Sequence, residues 1–156
     1  MERRKTKIHT LGTSTRTAEE FTSLLKLYAI DLIIDVRRFP TSKFEWFKKE
    51  NLETLLAEAD VQYLYMGKEL GGYRSGGYEA YTQTEEFQKA LQTLKSILKG
   101  RSGAILCAER FPWKCHRRFI ARELEKHRLN VIHIIDEKRT WKPKRRSQNE
   151  RGAILF

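Results

Sequence analysis

Two thiols, a carboxylate and an imidazole fall close together in this chain: Cys107, Glu109, Cys115 and His116. They lie in the stretch Gly103–Arg118, reading GAILCAERFPWKCHRR. Small and apolar residues run into Cys107, a short loop carries Pro112 and Trp113, and Cys115-His116-Arg117-Arg118 opens an amphipathic helix. That is the pattern of a buried strand, a polar loop and a helix N-terminus. In an open α/β sheet the crevice beyond such a strand end takes ligands.

The first turn of a helix carries partial positive charge, which favours a thiolate or a bound anion. Lys114, Arg117 and Arg118 act in the same direction on Cys115. Cys115, with His116 beside it, is therefore a candidate nucleophile or redox thiol. The competing reading is a small apolar residue capping the helix. Cys107 ends the strand and reads as a packed core thiol. The two can also close a switchable disulfide, although nothing in their spacing demands one. Glu109 is a candidate general base, or the partner of Arg37, Arg110 or Arg117 in an ion pair. Cys107, Glu109, Cys115 and His116 are all potential metal ligands. Zinc sites usually draw close ligand pairs from two separate places, so no metal is assigned, and no cofactor is named.

Other polar segments follow apolar runs in the same way. Asp35 ends DLIIDV and is followed by Arg37 and Arg38, which can hold phosphate or carboxylate bidentately. Asp35 can equally brace its own loop by accepting backbone N–H bonds. Ser14 and Arg16 follow the first apolar run. Gly71, Gly72 and Arg74 sit in a Gly/Tyr-rich segment, where glycine permits close backbone approach and Tyr73, Tyr78 and Tyr81 can stack on bases or cover the sheet edge.

These segments need elements to position them. Lys7–Leu11, Asp31–Val36, Val61–Met66, Gly103–Cys107 and Val131–Ile135 read as strands, short and apolar. Helices are predicted from Ala18 to about Tyr28, behind a Thr17/Glu20 capping box, and over Asn51–Ala59. Two more are predicted, from Thr84 to Gly100 and from about Lys114 to His127. Residues 67–83 read as one long loop. Strands alternating with helices predict an α/β fold: a single open three-layer domain with a mainly parallel sheet of about five strands and helices on both faces. Right-handed crossovers then bring the C-terminal strand ends, and the polar segments behind them, to one edge.

The chain has 156 residues and a net charge of +11. Residues 1–7 carry +3 and residues 138–156 carry +6, which leaves +2 for residues 8–137. The expected organisation is an α/β domain over 1–137 and a basic C-terminal tail over 138–156, with the apolar Ala153–Phe156 able to pack back. Basic ends can contact nucleic-acid phosphates or simply keep the chain in solution. No apolar run approaches the roughly 20 residues of a membrane helix, and Met1–Gly12 lacks the apolar core of a secretory signal. With two cysteines there is no disulfide scaffold. The expectation is a cytoplasmic protein with no membrane partner and reduced thiols. No oligomeric state follows from the sequence.

At these residues the chain resembles the bacterial and archaeal proteins of domain-of-unknown-function family 488. The resemblance spans roughly residues 8–135 and rests on motifs in order: Gly12-Thr13-Ser14-Thr15-Arg16; Ile34-Asp35-Val36-Arg37-Arg38-Phe39-Pro40; Leu70-Gly71-Gly72-Tyr73-Arg74; Tyr78-Glu79-Ala80-Tyr81 with Thr84-Glu85-Glu86-Phe87; and Cys107-Ala108-Glu109 with Pro112-Trp113-Lys114-Cys115-His116-Arg117. The family commonly has histidine where this chain has Thr13. The resemblance maps a site and implies no particular reaction. A looser similarity links the Asp-x-Arg strand end and thiol loop to rhodanese-like domains.

The reading favoured by the residues is a polar pocket for a small anionic, nucleotide- or phosphate-like ligand. Ser14, Arg16, Asp35, Arg37, Arg38, Gly71, Gly72, Arg74 and Arg117 would bind the ligand, and Cys115, Glu109 and His116 would supply any chemistry. The alternatives are a nucleic-acid-associated protein acting through the basic tail, and a cysteine redox module.

Overall fold

A computed structural model describes residues 7–143. Six strands form one sheet: β1 (Lys7–Gly12), β2 (Leu32–Asp35), β3 (Gln62–Tyr65), β4 (Gly103–Cys107), β5 (Asn130–Ile134) and β6 (Thr140–Trp141). Their order is β3-β2-β4-β1-β5-β6. The first five are parallel, and β6 pairs antiparallel with β5. The sheet thus has one strand more than the expected five. The added strand lies at the start of the segment expected to be tail. Two residues give no alternation to detect, and a hairpin back onto β5 is what holds them. Residues 144–156, including the apolar Ala153–Phe156, lie outside the described residues, as do residues 1–6.

The helices are α1 (Ala18–Leu27), α2 (Lys49–Glu58), α3 (Gly67–Leu70), α4 (Tyr78–Tyr81), α5 (Glu85–Leu98) and α6 (Arg117–Lys126). The Thr17/Glu20 capping box closes as predicted: the Glu20 N–H donates to Thr17 Oγ1 at 3.0 Å, and the Thr17 N–H to Glu20 Oε1 at 3.1 Å. Thr84 caps α5 by accepting the Phe87 N–H at 3.2 Å. Residues 67–83 are not one loop, because α3 and α4 each contribute a single turn. Four residues are too few to show a helical stripe.

Alternate residues of the sheet feed two cores. Leu11, Ile33, Ala104 and Leu106 pack with Phe21, Leu24 and Leu25 of α1 and Leu52 and Leu56 of α2. Ile8, Ile34, Ile105 and Val131 pack with Leu91 and Leu94 of α5 and Ile120 and Leu124 of α6. This is an open three-layer α/β arrangement. Phe21 and Phe47 are fully buried and meet edge-on at 5.2 Å. Burying each such ring contributes about 1.5–3 kcal/mol.

Register levels the strand ends that matter. Gly12 pairs with Cys107, and Asp35 with Leu106. From β2 the chain moves outward to β3, whereas from β4 it crosses over β1 to β5. The loops behind β2 and β4 therefore diverge, and a crevice opens between them, the place where open α/β sheets hold ligands.

Candidate functional site

The chain leaves β4 at Cys107 and passes directly over the end of β1. A Cβ on Gly12 would lie 1.8 Å from the Glu109 carbonyl oxygen, so only glycine lets the Ala108–Arg110 backbone cross there. The Thr13 and Ser14 N–H groups donate to the Cys107 and Ala108 carbonyls, both at 2.8 Å. A single 3₁₀ turn, Pro112–Lys114, reverses the chain and delivers Cys115 and His116 to the start of α6.

Fully buried Arg117 locks this loop. Its Nε donates to Thr10 Oγ1 at 3.0 Å, and its other nitrogens to the carbonyls of Glu109 at 2.6 Å and Arg110 at 3.1 Å. Behind β2, Arg37 is held by Asp35 through Nε to Oδ1 and NH2 to Oδ2, both 2.9 Å, and donates to the Phe47 carbonyl at 2.7 Å. Asp35 is completely buried and also accepts from the Arg37 N–H at 3.0 Å and the Tyr63 hydroxyl at 2.6 Å. Burial, and then the Asp35 carboxylate, push the Tyr63 phenol upward. Arg16 is buried and donates to the carbonyls of Gly12 at 2.9 Å and Ile135 at 2.7 Å.

These contacts change the expected ligand set. Arg16, Arg37 and Arg117, read as anion holders, spend their guanidinium groups on backbone carbonyls, on the Thr10 hydroxyl and on Asp35. Asp35 is a brace. Arg74 donates to the carbonyls of Gly71 at 2.9 Å and Lys68 at 2.6 Å and stacks on Tyr81 at 4.0 Å. Ser14 accepts from Arg110 Nε at 3.2 Å. Gly71 is packed against Gly67 and Arg38, where a Cβ would lie 2.2 Å from the Gly67 carbonyl oxygen. Tyr78 and Tyr81 are buried and donate to the carbonyls of Leu70 and Glu69, so neither presents a free ring face for a base. For Arg16 and Arg117 the cause is shared: the C-terminal edge of a parallel sheet leaves carbonyls without ladder partners, and an arginine with five donors satisfies several at once.

What remains forms a cleft of about 350 Å³ between the diverging loops. Cys107, Ala108, Glu109, Lys114, Cys115 and His116 line one side, and Arg38, Phe39, Gly72 and Tyr73 the other, with Arg37 behind them. Arg38 donates to the carbonyls of Gly72 at 3.2 Å and Tyr73 at 2.8 Å, tying the two walls of its side together. Phe39 and Tyr73 are 63% and 85% exposed, and their rings sit 5.9 Å apart at the mouth. The Glu109 carboxylate is exposed and makes no ion pair among the described residues. Cys115, Glu109 and His116 thus share one cleft with Arg38 and Gly72. A larger groove of about 910 Å³ runs between α1 and residues 136–139, but it contains no thiol or imidazole.

At the floor, His116 stands between two sulfurs. Its Nδ1 is 3.9 Å from Cys107 Sγ and 3.8 Å from Cys115 Sγ, while its Nε2 is 3.2 Å from the Val36 carbonyl oxygen. A carbonyl only accepts, so Nε2 carries the hydrogen, and in the neutral ring Nδ1 presents a lone pair to the thiols. The Arg117 N–H donates to Cys115 Sγ at 3.5 Å. Both cysteines are free and buried. Each thiol is the other's strongest influence: hydrogen bonding from Cys107 draws Cys115 well below the usual thiol range, helped by His116 and Arg117 against desolvation, and Cys107 rises correspondingly.

Some of the lining was not assigned to ligand binding or catalysis in the sequence. Cys107 is the packed thiol expected and also lines the cleft. Lys114 and Phe39 line it as well, and the Val36 carbonyl orients His116. A carbonyl has no residue-type signal, and an exposed phenylalanine beside a proline reads as loop. The nucleic-acid expectation rests mainly on residues 144–156, outside the described residues. No described helix is long and apolar enough to cross a membrane.

Comparison with curated proteins and with solved structures returns no match. A family model does match, described as Domain of unknown function DUF488, over residues 17–124. That span carries α1 through most of α6 and with them both thiols, His116, Arg38 and the Gly72 loop, so the chain belongs to the DUF488 family.

Proposed function

We propose that the cleft between the β2 and β4 loops binds a small anionic ligand, nucleotide- or phosphate-like, and that Cys115, Glu109 and His116 are its chemically active groups. The observation that carries this reading is the lining itself. Arg38 and Lys114 are cationic groups on opposite walls, and His116 lies on the floor between them. Glu109 is the only carboxylate among the lining residues, and buried Asp35, outside the lining, is paired with Arg37. A cleft with few convergent polar groups and an apolar rim is the usual form of a small-molecule site. Phe39 and Tyr73 offer that rim, suited to the flat part of a nucleotide-like ligand.

Isothermal titration of the full chain with inorganic phosphate, pyrophosphate and a nucleoside monophosphate tests the reading. At least one should bind. Arg38→Ala and Lys114→Ala should each weaken that binding by about tenfold, the value of one charge-assisted contact. If none of the three binds, or both variants bind as tightly as the parent, the reading is wrong.

A further inference from the structure

We propose that Cys107, Cys115 and His116 form a three-ligand site for a thiophilic divalent cation of the zinc type, with its fourth coordination position open to the cleft. The proposal builds on the reading of this cleft as the functional site and adds a metal to it.

The donor atoms are already gathered. Both Sγ atoms and the histidine nitrogen lie within 4.8 Å of one another. In a tetrahedral zinc site with ordinary bond lengths, sulfur and nitrogen ligands stand roughly 3.6 Å apart. The two S···N separations here, 3.9 and 3.8 Å, need only a small contraction to reach it. The donors come from two places in the chain: Cys107 from the end of β4, and Cys115-His116 from the start of α6.

Two further observations point to a ligand at that spot. The first is the Val36 carbonyl, 3.2 Å from His116 Nε2. Metal-binding histidines commonly donate their second ring N–H to a carbonyl or carboxylate, which fixes the tautomer and aims the lone pair. The second is Gly72. A Cβ at that position would stand 3.1 Å from His116 Nδ1, the atom that would meet the metal. The chain keeps the space over that nitrogen clear by having no side chain there.

Charge favours the same occupant. Two thiolates and a dication sum to zero, with a neutral imidazole as third ligand. A neutral centre avoids the cost of burying either charge alone. Binding releases the thiol protons to solvent, and thiolate ligands favour zinc-like cations over magnesium or calcium. Glu109 lines the same cleft but lies outside the donor cluster. It is therefore not counted among the ligands.

The reduced, full-length protein should be titrated with cobalt(II), in the absence of any anionic ligand. One equivalent should bind, with intense sulfur-to-cobalt charge-transfer absorption and the visible bands of a tetrahedral ion, and zinc should displace it stoichiometrically. Cys107→Ser and Cys115→Ser should each weaken binding on the order of a hundredfold and lower the charge-transfer intensity. Circular dichroism of the metal-free variants reports separately on their folding. A reduced, folded parent protein that takes up no cobalt overturns the proposal, as does a Cys107–Cys115 disulfide as the only chemistry of the pair. Because the titration contains no anion, its failure leaves the phosphate titration to stand or fall by itself.

Discussion

His116 Nε2 lies 3.2 Å from the Val36 carbonyl oxygen, and this one hydrogen bond joins the loop behind β2 to the start of α6. It spans the crevice between the two diverging loops. It also decides which nitrogen of the ring faces the sulfurs.

Gly72 guards the other side of that ring. Gly72→Ala should cost little stability, about 1 kcal/mol or less, because the imidazole can give way by a few tenths of an ångström. It should nonetheless lower cobalt affinity by about tenfold, since the histidine must leave the position set by Val36. A cobalt titration beside a urea unfolding curve separates the two effects.

Arg117 is the loop's lock. Arg117→Met should destabilise the protein by about 3 kcal/mol or more, because it leaves the Glu109 and Arg110 carbonyls and Thr10 without their donor. Arg117→Lys should recover less than half of that, since an ammonium cannot reproduce the planar fork. Equilibrium unfolding in urea checks both. Arg38→Ala, by contrast, should reduce stability by only about 1 kcal/mol, because its bonds to Gly72 and Tyr73 are partly exposed.

The Asp35–Arg37 pair is a structural brace with a third member. Asp35→Asn should cost about 3–5 kcal/mol by leaving a buried guanidinium without its counter-charge. Tyr63→Phe should cost about 1–2 kcal/mol. The double variant should lose less than the sum, because both changes remove contacts to one carboxylate. A double-mutant cycle in urea measures the coupling.

The arginines show where sequence reading stops. The alternation of strands and helices, the Thr17 cap and the convergence of the strand ends are written in apolar spacing and capping residues. So is the nearness of Cys115 and Glu109, which follows from topology. Arg16, Arg37 and Arg117 carry no such mark. In sequence an arginine that binds phosphate and one that braces carbonyls are identical, and only the count of unpaired carbonyls around each tells them apart. The four potential donors, Cys107, Glu109, Cys115 and His116, are visible in the sequence, but which of them meet is not. Cys107 and Cys115 are separated by a loop whose 3₁₀ turn closes the gap, and spacing alone does not reveal a turn that tight. The hairpin to Thr140–Trp141 was hidden by its shortness.

His133 supplies a pH test. It is buried, shares a 2.6 Å hydrogen bond with Thr10 Oγ1, and lies near Arg117, Lys142 and Trp141. Burial first, and then the charge of Arg117, lower it to about 3 from 6.5. The unfolded chain therefore takes a proton on this histidine before the folded one does. Its contribution is complete above pH 6.5 and is lost as pH falls toward 3, by at most about 1.4 kcal/mol per pH unit. His133→Asn should flatten the acid limb of the stability profile over that interval. Urea midpoints taken at several pH values compare the two slopes.

The most direct test of the cleft as the working site is where a ligand leaves its footprint. Amide chemical shifts of the full chain, followed during titration with phosphate or a nucleoside monophosphate, should move first and furthest at Arg38, Gly72, Tyr73, Lys114 and His116. Shifts confined to the groove beside α1 and residues 136–139, or to the basic ends of the chain, would contradict the account and place the binding surface elsewhere.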